Sequence, residues 1–222
     1  MSTDIVDGAQ RTLTASSGIE VRWIMPEGFL ELPFEADDLD ELTDRICELA
    51  ERALPGADQE VQLQWAAMCA ANYDEFIEAG VQYAGFVTTE VDGVRCTATV
   101  NVSLMDLDDR AGKNPAGFIA STLRHLDLGR VEEVRLPCGP AAMCVGSRSA
   151  DIDGSLTRTG RAESVWTSFI QVHIPLINGT VLVLEMGTPT VEGWDVFSAM
   201  FAGVSKSIRL FDDNGAPLVM RG

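Results

Sequence analysis

Apolar and polar positions along the chain fall into alternating runs and helical stripes, and residues 165–211, VWTSFIQVHIPLINGTVLVLEMGTPTVEGWDVFSAMFAGVSKSIRLF, show both. Two apolar, β-branched runs meet at Asn178-Gly179, and an amphipathic stretch follows them. Asn-Gly between such runs predicts a two-residue type I′ hairpin turn, which needs positive φ at both central residues. That register sets His173 opposite Leu184 and Gln171 opposite Met186, and puts Ile170, Val172, Ile174, Val183 and Glu185 on the other face. Both faces then come out largely apolar, so both need cover. The expected fold class is α+β: a three-layer α/β/α sandwich with a central, mostly antiparallel sheet built from hairpins.

A second hairpin is expected in VQYAGFVTTEVDGVRCTATVNVSLMDL, turning at Asp92-Gly93. Its register places Glu90 opposite Arg95, Val87 opposite Ala98, Gly85 opposite Val100 and Tyr83 opposite Val102. Leu39, Leu42, Ile46, Leu49 and Ala53 recur at helical spacing, with Asp38 and Glu41 as a capping-box start and Pro55-Gly56 as the stop. Val61, Trp65, Met68, Cys69, Asn72 and Phe76 predict a second helix over 58–79, ended by Gly80. Asn114-Pro115 opens a third, with Phe118, Ile119 and Leu123 on its apolar side and His125 at its end. A closing helix over 193–210 buries Phe197, Met200, Phe201, Val204 and Ile208. IEVRWIMP, GFLELPF, VEEVRLP and AAMCVGSRSADI read as further extended pieces. The resulting organisation is a flexible lead-in over 1–17, one domain over 18–211 and a loosely held tail over 212–222.

Composition narrows the function classes. With 222 residues, 46% hydrophobic and 23% charged, the chain suits one soluble globular domain. Acidic residues outnumber basic ones 34 to 16, and a formal charge of -18 repels phosphate backbones, so no nucleic-acid partner is expected. Five cysteines without a C-x-x-C pair or neighbouring histidines point to thiols rather than a zinc site or a disulfide framework. MSTDIVDGAQ has neither a basic segment nor an apolar core, and no apolar run reaches about 18 residues. A cytoplasmic protein with no membrane partner, of bacterial character in its Ala, Gly, Val and Asp richness, is the expectation.

The order of elements resembles the PsbP-like fold, the α/β/α sandwich of PsbP and of Ran-binding Mog proteins. The likeness lies in 131–211, where a strand-turn-strand hairpin ends in a Gly-Thr-Pro corner before the closing helix DVFSAMFAGVSKSIRLF. It implies a non-enzymatic binding or accessory role and assigns no functional residue.

Candidate chemistry is sparse. His125 falls at a helix C-terminus, and His173 lies between Val172 and Ile174 without a G-x-S-x-G elbow, so nucleophilic catalysis is not expected. Glu185 interrupts the apolar run VLVLEMG and has to be exposed, functional or paired with an arginine such as Arg135. Asp151 and Asp153 in D-I-D-G-S lack the distal ligand of a calcium loop. Neither a metal nor a cofactor is called for. Arg148, Arg158 and Arg161 fall in a polar segment, 146–163, read either as a flexible connection kept soluble by its charges or as a docking loop, since arginine suits carboxylate recognition. Two functions follow: a cytosolic adaptor that binds a protein through that loop, the sheet edge or the polar hairpin face, or a small-molecule binder or enzyme. The second would use a pocket between the 39–79 helix pair and the sheet, with His173 and Glu185 as its polar groups.

Overall fold

The computed structural model describes residues 8–15, 18–34, 36, 38–71, 73–152, 154, 157 and 159–220. It is α+β, and every strand pairing among the described residues is antiparallel. The strands are β1 (Gly8–Ala15), β2 (Ile19–Pro26), β3 (Leu30–Glu31), β4 (Val81–Val91), β5 (Val94–Asp106), β6 (Gly129–Leu136), β7 (Gly139–Ile152), β8 (Glu163–Pro175), β9 (Thr180–Thr188), β10 (Arg209–Phe211) and β11 (Pro217–Leu218). The helices are α1 (Leu39–Ala53), α2 (Gln59–Ala71), α3 (Tyr73–Glu78), α4 (Pro115–His125) and α5 (Trp194–Ser207). Seven strands form one sheet in the order β3-β4-β5-β9-β8-β7-β6, and a second sheet runs β1-β2-β10-β11.

The small sheet corrects the expected ends of the domain. Residues 8–15, read as part of a flexible lead-in, are strand β1 and pair with β2 along their whole length. In the tail read as loosely held, β11 pairs with β10, and Met220 donates its amide to the Cys138 carbonyl at 2.9 Å. The 58–79 helix is two pieces, α2 and α3.

One face of the large sheet is closed. Cys96, Ala98, Val100 and Val102 of β5, Leu182, Leu184 and Met186 of β9, and Ile170, Val172 and Ile174 of β8 alternate onto it. They pack with Phe197, Phe201 and Val204 of α5, Ile208 beyond its end, and Val21, Trp23 and Met25 of β2 as the main core. The opposite face is covered at its two ends only. α4 sets Ile119, Ala120 and Leu123 over Ala142, Cys144, Phe169 and Val183, while α1–α3 stand over β3 and β4 around their own cluster of Leu42, Ile46, Ala50 and Ala66.

The two hairpins show how turn chemistry sets what reaches that open face. Asp92 (φ 51°) and Gly93 (φ 80°) both take the left-handed conformation, and the β4–β5 register follows as the type I′ turn dictates, down to Tyr83 opposite Val102. Asn178-Gly179 differs. Gly179 alone has positive φ (81°), and Leu176 donates its amide to the Thr180 carbonyl at 2.8 Å, so Ile177, Asn178 and Gly179 make a three-residue loop. The extra residue moves the pairing by one: His173 faces Val183 and Gln171 faces Glu185. A shift of one residue exchanges the faces of one strand relative to the other. His173 and Glu185, expected on opposite faces, therefore share one.

Candidate functional site

Directly opposed residues on adjacent antiparallel strands share a face, so the pairings place Asn101 of β5, Glu185 of β9 and Gln171 of β8 in one polar row across the open face. His173 lies two residues along from Gln171, on the same side of β8. Gln171 donates from Nε2 to Glu185 Oε2 at 2.5 Å and faces His173 Nε2 with Oε1 at 3.3 Å. With Oε1 an acceptor, His173 donates from Nε2, and Nδ1 is left as an acceptor. Arg148 of β7, opposite Thr167 and farther along the sheet, reaches back over Phe169 to form two hydrogen bonds to the Glu185 carboxylate. Its guanidinium passes 5.3 Å from the centroid of Phe169, which stands between Gly146 and Gly187 in the adjacent row.

The row's electrostatics are those of neutral contacts and one internal ion pair. Burial holds His173 down to about 4, against a smaller upward pull from Glu185, so the imidazole is neutral at ordinary pH. The Glu185 side chain is 15% exposed and that of Arg148 50%. Of the states open to Glu185, exposed, functional or paired with an arginine such as Arg135, it is paired, and the arginine is Arg148.

Two cavities meet at Asn101, which lies on the floor of both. The first, about 580 Å³, lies between α1–α3 and β4–β5 and is walled by Trp65, Met68, Cys69, Phe76 and Phe86. Trp65 of α2 meets Phe86 of β4 at 4.9 Å between ring centroids, and Phe34 stacks on Tyr73 at 5.6 Å, tying α3 to the chain beyond β3. Burial pushes the Cys69 thiol up to about 12, so it is an apolar wall group and not a nucleophile. The second cavity, about 630 Å³, runs under α4 and holds Gln171, His173 and Glu185 together with Phe118, Ile119, Leu123, Leu126 and Leu128. Volumes of this size are those of small-molecule sites.

The loop read at 146–163 does not form as one. β7 continues to Ile152 and pairs with β8 as far as Glu163, so Arg148 is a strand residue turned onto the open face. Arg161 is exposed beyond the strand ends, and its side chain makes no ion pair among the described residues. Arg158 and Asp153 lie outside the described residues. Asp151 accepts a hydrogen bond from Ser164, and no group of metal-binding side chains occurs among the described residues. Asn101 is legible in the sequence only as part of the polar face of the β4–β5 hairpin, and Gln171 not as a site residue, because a polar residue in a strand announces a site only when its cross-strand neighbours are known.

No family model and no curated protein matches the sequence. Among solved structures the chain is similar to LpqN of Mycobacterium tuberculosis, a protein involved in cell envelope biogenesis. The TM-score is 0.40 and the identity 11%, over 92% of this chain and 91% of that one. No residue or role is carried over from it.

Proposed function

We propose that this protein binds a small amphipathic molecule in the groove on the open face of its seven-stranded sheet, and acts as a binder or carrier without transforming it. The reading rests on one observation: a row of polar groups lies on the floor of a groove formed by two largely apolar cavities that meet at Asn101, walled by helices that meet the sheet only at its two ends. Apolar walls supply affinity through area removed from water, and the few fixed polar groups supply orientation. A carrier needs both, with access from solvent.

Catalysis is the weaker use of the same groups. A glutamine separates His173 from Glu185, so no carboxylate orients the imidazole, and a histidine held near 4 is a poor base at neutral pH. Cys144, opposite Gln171, is buried under α4 with its thiol pushed up by that burial.

In this reading the molecule is a three-layer α/β/α sandwich, α1–α4 forming one outer layer and α5 the other, with the small sheet beside α5. No helix among the described residues is long and apolar enough to cross a membrane. Five thiols suit a reducing compartment, and the cytoplasm is proposed on that ground. The adaptor with a protein partner, the first function expected from the sequence, is the second reading here. It loses its main support in the engagement of Arg148 with Glu185, and keeps Arg161 and the 67% exposed Trp166 of β8.

The test is titration with Nile red, a neutral probe of apolar sites. Saturable binding of one probe per chain, lost when Thr99→Trp fills the cavity beside Asn101, is expected. Absence of saturable binding in the folded wild type overturns the proposal.

A further inference from the structure

The charges around the groove specify its ligand further. In the cavity that holds the polar row, the charged lining residues are Asp106, Asp108 and Glu185, with neither lysine nor arginine among them. Glu185 is balanced by Arg148 and Asp108 by Arg110, while Asp106 has no ion pair among the described residues. The hydrogen-bonding groups left over are mostly acceptors: His173 Nδ1, the Asp106 carboxylate and whichever Glu185 lone pairs Arg148 and Gln171 leave free, with the Asn101 amide and the Ser103 hydroxyl able both to donate and to accept. A carboxylate or phosphate entering here gains no cation, meets an uncompensated carboxylate and enters the field of a chain carrying a formal charge of -18. The cavity under α1–α3 is the more apolar of the two, and its one cation is Arg95.

We propose, on the strength of the groove reading, that the ligand is a single-chain amphiphile whose head donates hydrogen bonds and carries no negative charge. The head lies over Asn101, Glu185, Gln171 and His173, and the chain runs under α1–α3 against Trp65, Met68, Phe76 and Phe86. Anionic lipids and fatty acids are excluded by the same charges.

Dodecylamine, dodecanol and dodecanoate carry one chain with three heads, and each is titrated below its aggregation concentration, at neutral pH and physiological salt, against protein preloaded with Nile red. The amine and the alcohol are expected to displace the probe at concentrations at least tenfold below the carboxylate. Because an acidic protein also attracts amines over its whole surface, the alcohol against the carboxylate is the deciding comparison. Glu185→Gln then releases Arg148 and is expected to narrow that ratio at least tenfold, an effect that a merely structural role of Glu185 does not produce. Thr99→Trp is expected to weaken all three alike. Carboxylate binding as tight as the alcohol's in the wild type overturns the head assignment, as does an unchanged ratio in Glu185→Gln. If Nile red binds and none of the three displaces it, the ligand class is wrong while the groove reading stands. If Nile red itself does not bind, both fall.

Discussion

His173 is neutral in the folded protein because burial resists its charge, and that resistance has a measurable cost in acid. Its folded value of about 4 lies below the ordinary value of 6.5. Above the higher value neither state holds the proton and stability is unaffected. Between the two, the unfolded chain binds a proton that the folded one refuses, so stability falls with falling pH and levels off below the folded value. The full shift corresponds to about 3 kcal/mol. Urea unfolding of wild type and His173→Gln, compared near neutrality and midway through this window, is expected to show the wild type losing about 2 kcal/mol more than the variant. Asp106, Asp108 and Glu185 border the same cavity and are common to both proteins, so their contributions cancel to first order in the comparison. Equal losses would place His173 in water. The Arg148–Glu185 pair is a smaller quantity. With the guanidinium half exposed, a double-mutant cycle of Arg148→Met and Glu185→Gln is expected to give a coupling of about 1 kcal/mol. Zero coupling would mean that Gln171 alone satisfies the carboxylate.

At the level of elements, the β8–β9 hairpin shows what the sequence makes legible and what it leaves out. The dipeptides Asp92-Gly93 and Asn178-Gly179 look alike, yet only the first takes positive φ at both residues. In β4–β5 the turn type alone sets the pairing, and the sequence predicts it correctly. Both faces of β8–β9 are apolar over most of their length, so alternation cannot decide between registers one residue apart, and the error moves Glu185 across the sheet. β1 was missed for a related reason. It pairs at the edge of the small sheet and buries only Ala15 among its eight residues, so it carries no hydrophobic period. Residues 146–152, with Arg148, read both as the end of the extended piece AAMCVGSRSADI and as the start of a loop, because β7 and β8 run on beyond the core with polar residues, held there by each other; the strand is what forms. If side-chain burial holds the β8–β9 register, the loop can be shortened without altering it. Deleting Ile177, which is 65% exposed, leaves Asn178-Gly179 as a two-residue turn between Leu176 and Thr180. The variant is expected to keep His173 opposite Val183, seen as cross-strand backbone NOEs, with stability changed by no more than about 1 kcal/mol. A pairing of His173 with Leu184 would show that the loop, and not the core, sets the register.

For the whole molecule, the division between a closed and an open sheet face implies a division in stability. The closed face shares one core with α5 and the small sheet, whereas Leu42, Ile46, Ala50 and Ala66 form a separate cluster within the α1–α2 pair. α2 buries only Ala66 fully, and it leaves Val61 and Leu63 exposed. A cap held by so little apolar area opens more readily than the sheet beneath it, since local opening costs follow the contacts that opening breaks. The same property serves a carrier, whose ligand has to pass the wall that later encloses it. Amide hydrogen exchange on the free protein is therefore expected to show α1–α3 exchanging at opening free energies at least about 3 kcal/mol below those of β5, β8 and β9. Saturation with dodecanol is expected to slow α2 and α3, whose Trp65 and Phe76 wall the cavity, while β10 and β11 on the far side stay unchanged. A ligand that binds only the closed state adds its binding free energy to the cost of opening, so the protection gained has to rise with the logarithm of ligand concentration. Exchange in α2 as slow as in β9 without ligand would make the helices part of the core and leave the groove without an entrance.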